Sequence, residues 1–195
     1  MANLDVSVSD RQKDYHQYLL SRSILGHSYR KFFLYPRIAK HLPGKAIDVG
    51  CGIGDFLGFR NNTVGIDVNE HSVNYCKERG FSSFLIERKR FPFDEGTFDS
   101  CLIDNVLEHI VEPDETLREI NRVLNDNGVL VIGVPGLKGY SKDPDHKVFY
   151  NEYNLKSLLT EYGYVLKTWM YTPFKSDYLD RNLSLYCLYG VFQRI

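Results

Sequence analysis

The chemistry in this sequence begins at Ile47-Asp48-Val49-Gly50-Cys51-Gly52-Ile53-Gly54-Asp55, where two β-branched residues lead into three alternating glycines bracketed by carboxylates. Glycines at that spacing let a backbone turn approach a ligand that any Cβ would push away. The pattern G-x-G-x-G departs from the dinucleotide fingerprint G-x-G-x-x-G, because Asp55 stands where the third glycine would let a pyrophosphate sit on the helix N-terminus. A second run, Thr63-Val64-Gly65-Ile66-Asp67, ends in an acid where nucleoside-binding α/β folds hold a ribose. Together they imply a cradle for a nucleoside that carries no pyrophosphate. Two histidines add proton-transfer capacity: His109 follows one expected strand, and His146 lies in Asp143-Pro144-Asp145-His146-Lys147 after the next. With Asp145 beside His146, these are the candidate catalytic residues.

The elements that must position these groups alternate along the chain. Apolar residues Leu25, Tyr29, Phe32 and Phe33 recur at helical spacing before Lys45, with Pro36 as an interruption, so one or two helices should form an N-terminal cap over 10–42. A helix over 70–79 should end at Gly80, a third strand should lie near 82–86, and a fourth should span 98–103. Pro113 opens a helix with Leu117, Ile120 and Leu124 on one face, and Asn127-Gly128 turns into a fifth strand over 129–134. A helix over 153–162, a strand over 165–171 and a last strand over 183–192 complete the pattern, with no helix expected between the last two strands. The expected fold is an α/β, Rossmann-like doubly wound sheet of seven strands, mostly parallel with an antiparallel last strand and helices on both faces.

At 195 residues, 43% hydrophobic and a net charge of −1, the chain should form a single domain over 1–195 and carries no basic block suited to nucleic acid. No stretch approaches a membrane span or a secretory signal, which suggests a cytoplasmic protein. Cys51, Cys76, Cys101 and Cys187 are widely separated and read as free thiols.

The segments Asp48 to Gly54 and Val64 to Asp67 resemble motif I and the following acidic motif of class I S-adenosylmethionine-dependent methyltransferases. Phe91-Pro92-Phe93-Asp94-Glu95-Gly96-Thr97-Phe98-Asp99 resembles the family's approach to its fourth strand, and Leu107-Glu108-His109 its "LEH" segment. The matches run in order over about 45–135, as in small single-domain bacterial-type members. The resemblance implies S-adenosyl-L-methionine as cofactor, held by Asp48, Gly50, Gly52, Gly54, Asp67 and Asn105. It also places Glu87 and Arg88 at the adenine. Some members of the family bind a divalent metal through E-x-x-E-H; here Asn105 replaces the first carboxylate, so no metal is expected. The aromatic residues of the cap and of 140–153 suit a small or glycan-like acceptor with a hydroxyl to be methylated, without nucleic acid as partner. Two other readings share these motifs: an N-methyltransferase for a protein or small amine, and a cofactor-binding module without catalysis.

Overall fold

A computed structural model describes residues 8–87 and 90–195. The cap begins with helix α1 (Val8–Leu20), followed by α2 (Ile24–Tyr29), a π-helical turn (Arg30–Leu34) and α3 (Tyr35–Ala39). Pro36 was expected to interrupt this helix, but the chain stays helical from Ile24 to Ala39. Proline lacks an N–H and its ring crowds the carbonyl four residues back. The turn before it widens to i→i+5 pairing, with the Tyr35 N–H donating to Arg30 O, which accommodates the ring without ending the helix.

Strand β1 (Ala46–Val49) enters the glycine turn and helix α4 (Asp55–Phe59); β2 (Thr63–Asp67), α5 (Glu70–Glu78) and β3 (Ser83–Leu85) follow. After β4 (Phe98–Asp104) come a 3₁₀ turn (Leu107–His109), α6 (Asp114–Val123) and β5 (Leu124–Pro135). The chain closes with α7 (Leu137–Tyr140), α8 (Glu152–Glu161), β6 (Tyr164–Thr172), α9 (Asp177–Asn182) and β7 (Cys187–Arg194). The seven strands form one sheet in the order β3-β2-β1-β4-β5-β7-β6. All neighbours through β5 pair in parallel, and β7 runs antiparallel to both β5 and β6. The expected architecture is therefore the observed one.

Two details differ from the sequence reading. A short helix, α9, lies between β6 and β7, where a plain polar turn was expected: the Ser176 side chain accepts from Leu179 N and caps it. β7 accordingly starts at Cys187 rather than Leu183. β5 also begins five residues early, because Leu124 pairs with Phe98 before the register shifts to Val129 opposite Ser100. Asn127, with φ 63°, takes the left-handed turn inside that irregularity.

Alternation along the strands builds a core on each face. Cys101 and Ile103 of β4 and Leu130, Ile132 and Val134 of β5 join Leu117 and Ile120 of α6 and Leu155 and Leu159 of α8 on one side. Leu102 and Val131 point the other way, to Leu34, Tyr35 and Ile38 of the cap and Phe56 of α4. The two layers fix the carboxyl ends of β1, β2, β4 and β5 at one edge, where strand order reverses between β1 and β4. Among the described residues, no helix is long and apolar enough to cross a membrane.

Candidate functional site

Gly50, Gly52 and Gly54 all have positive φ, at 77°, 51° and 77°. Space is as restrictive as conformation: a methyl on Gly50 would come within 2.4 Å of Val106 Cγ2, and one on Gly52 within 3.0 Å of Leu19 Cδ1. The turn is thus pressed between the segment after β4 and helix α1. Asp67 fixes it from the next strand. Its Oδ2 accepts from Gly52 N at 2.8 Å, and its Oδ1 accepts from Asn69 N at 2.8 Å. Burial raises the Asp67 pKa, and the same backbone N–H groups oppose the rise.

Asp48 lies deeper, 4% exposed, and its pKa is driven well above the ordinary carboxylate range by burial and then by Asp104 and Asp67. Four carboxylates, Asp48, Asp55, Asp67 and Asp104, therefore share one field. From the cap, Arg22 reaches Asp55 at 3.5 Å and Arg30 reaches Asp104 at 3.3 Å. Helix α1 closes over the end of β2: Gln12 Nε2 donates to Val68 O at 2.9 Å, and Asn69 Nδ2 donates to Gln12 O at 2.7 Å. Burial raises the Tyr15 pKa, with Arg22 opposing the rise and Asp67, Asp143 and Glu108 adding to it.

Asn105 sits at φ 55°, its N–H donating to Gly133 O and its Nδ2 to Asp104 Oδ1 at 2.8 Å. Its amide is turned toward Asp104, which also accepts from Tyr189 Oη at 2.7 Å. Asp104 was not singled out in the sequence, although an acid at the carboxyl end of a central strand was the available signal. Glu87 is exposed, its carbonyl accepts from Arg90 N, and among the described residues no hydrogen bond joins its side chain to the other predicted residues. Arg88 lies outside the described residues.

At the ends of β4 and β5, His109 and His146 meet with ring centroids 4.7 Å apart. His146 Nδ1 is 2.9 Å from Tyr140 O, and its ring stacks on Tyr140 at 17°. His109 Nδ1 is 3.3 Å from Asp145 O. The carboxylate expected to face His146 was that of Asp145, but its side chain is turned to Lys147 at 4.0 Å and is largely exposed. Asp143 takes that place, because the tight turn puts residues three apart on one side, with its Oδ2 3.8 Å from His146 Nε2. Glu108 is fully buried beside them, and burial pushes its pKa up to about 8. Burial and the neighbouring His146 lower the pKa of His109. Of the aromatic residues suggested for an acceptor pocket, Tyr35 and Tyr150 belong to the core instead.

Residues 47–132 match the family described as "Methyltransferase domain". That segment is similar to methyltransferase domains. The chain is 28% identical over 126 residues to an uncharacterized protein of Methanocaldococcus jannaschii, covering 62% of each. It is 33% identical over 96 residues to the tRNA (carboxymethyluridine(34)-5-O)-methyltransferase alkbh8 of Xenopus tropicalis, covering 47% of this chain and 15% of that one. The chain thus spans less than two thirds of these relatives' length. Among solved structures, a SAM-dependent methyltransferase of Thermotoga maritima, described as a possible histamine N-methyltransferase, superposes with a TM-score of 0.75 at 17% identity. It covers 94% of this chain and 98% of its own. A SAM-dependent methyltransferase from Aquifex aeolicus gives 0.65 at 19%, covering 97% and 100%. At such identities the likeness is one of fold.

The space a Cβ would need at these glycines is taken by the chain's own side chains, Val106 at Gly50 and Leu19 at Gly52, and the acids Asp55, Asp67 and Asp104 beside the turn suit a cationic ligand better than a pyrophosphate.

Proposed function

We propose that the protein transfers a methyl group from S-adenosylmethionine to a hydroxyl of a small or glycan-like acceptor. When bound, the cofactor supplies an electrophilic methyl on a positively charged sulfur. Asp67 would accept the ribose hydroxyls with the lone pairs that Gly52 and Asn69 leave open, and the backbone of Gly50, Gly52 and Gly54 would pass beneath the methionine portion. Asp48 would face the ammonium side, while Asn105 acts through Asp104. Glu87 and Arg88 are kept as the adenine-side candidates by their place after β3.

The observation that carries the oxygen-directed reading is the pair His109 and His146 beside Glu108, at the strand ends next to Asp104. A hydroxyl must lose its proton as it attacks, and a positioned imidazole contributes on the order of 10² to 10⁴ in rate. The Asp145 carbonyl orients His109 and the Tyr140 carbonyl orients His146. Tyr15 and Tyr140 supply apolar faces with polar tips for the acceptor, and Phe149 adds a purely apolar face that Tyr140 meets edge-on at 5.3 Å. The relative named for tRNA methylation is a 5-O enzyme by name, which agrees with oxygen as the receiving atom and makes tRNA the second acceptor to try.

The test is transfer of labelled methyl from the cofactor to panels of sugars and phenols, amines, and tRNA. Label on a hydroxyl, lost in His146→Ala while cofactor affinity is kept, is the expected result. Label confined to amines, or no transfer to any panel, overturns the reading.

A further inference from the structure

The chain as a whole carries a net charge of −1, but its charges are unevenly placed. Arg22, Arg30, Lys31, Arg37, Lys40 and Lys45 fall between Asp14 and Asp48, a stretch of sequence without a single acidic residue. Within it, Ile24, Leu25 and Phe32 are 85%, 82% and 74% exposed. We propose that this outer face of the cap docks on the surface of a bilayer that contains anionic lipids. Such docking goes beyond the acceptor reading and does not rest on it.

The apolar groups make the first argument. A lone exposed leucine is ordinary on a protein surface, whereas several large apolar side chains on one helix face mark a contact. Ile24 and Phe32 are separated by roughly two turns, and Leu25 adjoins Ile24, so the three share one side of the helical run from Ile24 to Ala39. Leu34, Tyr35 and Ile38 carry the other side into the core. The helix is thus apolar on two sides, of which the sheet covers one. Arg37 extends the open side: its Nη1 donates to Pro173 O at 2.7 Å, and the largely exposed Phe174 joins Arg37 and Lys40 in one shallow groove.

The charges make the second. Arg22 and Arg30 turn inward to Asp55 and Asp104 and so belong to the site. Lys31 and Lys40 are exposed, and among the described residues neither pairs with a carboxylate. Lys31 Nζ lies 5.6 Å from the centroid of the Phe32 ring. A lysine beside an aromatic ring lets an interfacial helix keep its charge among headgroups while the ring enters the acyl boundary, and anionic lipids supply the counter-charge.

Other occupants fit less well. A second copy in an isologous contact would set this acid-free face against itself, lysine toward lysine. Nucleic acid would satisfy the lysines, but the aliphatic tips of Ile24 and Leu25 give bases no ring to stack on. A bilayer answers both halves of the face. Arg30, on the same helix, holds Asp104, so docking would bring the acceptor end of the site toward the lipid surface.

The test is flotation of the full chain with vesicles of phosphatidylcholine alone, and with vesicles of phosphatidylcholine and phosphatidylglycerol in about a two-to-one ratio. The mixed vesicles should bind the protein, the plain ones should not, and high salt should weaken binding by screening the headgroups. Leu25→Ser with Phe32→Ser, and separately Lys31→Glu with Lys40→Glu, should each weaken binding to mixed vesicles by about tenfold or more. Wild-type melting temperature and affinity for S-adenosylhomocysteine show that a variant is folded, and Ile24→Ser replaces either apolar change that fails this check. Absent binding, equal binding to both vesicles, or binding that both double variants retain overturns the docking. Absent flotation together with tRNA binding lost in the lysine variant overturns it in favour of nucleic acid. Absent flotation together with an oligomer that the apolar variant dissociates overturns it in favour of a second copy.

Discussion

Asp67 accepts a 2.8 Å hydrogen bond from the backbone N–H of Gly52, so the acid proposed to hold the ribose also holds the glycine turn in shape. One side chain at the end of β2 thereby couples two parts of the cofactor cradle, and its replacement should be felt in both. Asp67→Ala is expected to weaken cofactor binding by about 1.5 to 3 kcal/mol, the worth of hydrogen bonds to a charged group, which is roughly 10- to 150-fold in Kd. Titration calorimetry with S-adenosylhomocysteine measures it; unchanged affinity removes Asp67 from the site. Asp67→Asn, which can still accept from Gly52, should lose less.

Gly50 tests the cradle by space rather than charge. A methyl there meets Val106 Cγ2 at 2.4 Å on a backbone with φ 77°. Gly50→Ala should cost about 1 to 3 kcal/mol of stability from the strained backbone and abolish measurable cofactor binding as Val106 is displaced. Adding Val106→Ala relieves the clash but leaves the φ penalty, so the double variant should regain part of its melting temperature. Full recovery would mean that the turn tolerates a side chain and that its glycines are not needed for close approach.

The sheet and the glycine turn were legible because they depend on local patterns. Val129 to Val134 reads as a strand covered on both faces, and the alternation of glycines after Val49 and the acid at Asp67 declare a turn with a carboxylate beside it without knowledge of any distant residue. The partners of the histidines were not legible. Asp145 is adjacent to His146 in sequence, yet the turn at Asp143-Pro144 directs Asp143 to it and sends Asp145 toward Lys147. Likewise Asp104 gains its role from Tyr189 on β7 and Arg30 on the cap, residues far along the chain that only the strand order brings near. The helix around Pro36 was misread for a related reason: propensity describes the proline, whereas the π-helical turn that accommodates it depends on the packing of Leu34 and Ile38 beneath the sheet.

Asp48 should show the cost of a buried carboxylate. Its pKa in the fold is raised by burial and by Asp104 and Asp67, above an unfolded value near ~3.9. The native state therefore holds a proton more tightly than the unfolded chain. Asp48's contribution to stability is complete below the unfolded pKa and declines as pH rises through the folded one. Asp48→Asn removes that decline. Its melting temperature without cofactor should exceed wild type at pH 7 by roughly a few degrees, and the difference should shrink toward pH 4. Cofactor affinity should fall in the same variant. A difference that does not vary with pH would mean that Asp48 is not the titrating group.

Arg30 tests how firmly the cap is tied to the sheet. Its guanidinium stands 3.3 Å from Asp104 Oδ2, in the π-helical turn that Pro36 requires, while Asp104 Oδ1 is held by Tyr189 and Asn105. Removing one member of a largely buried ion pair leaves the other charge without its counterpart, which costs more than the pair contributes when intact. Arg30→Met keeps the length of the side chain and should destabilise the protein by about 2 to 4 kcal/mol, measured by urea unfolding. Adding Asp104→Asn should recover much of that loss, because the stranded charge disappears with it. If Arg30→Met alone is neutral, the cap is secured by Leu34, Tyr35 and Ile38 in the core, and the ion pair serves the site without holding the fold.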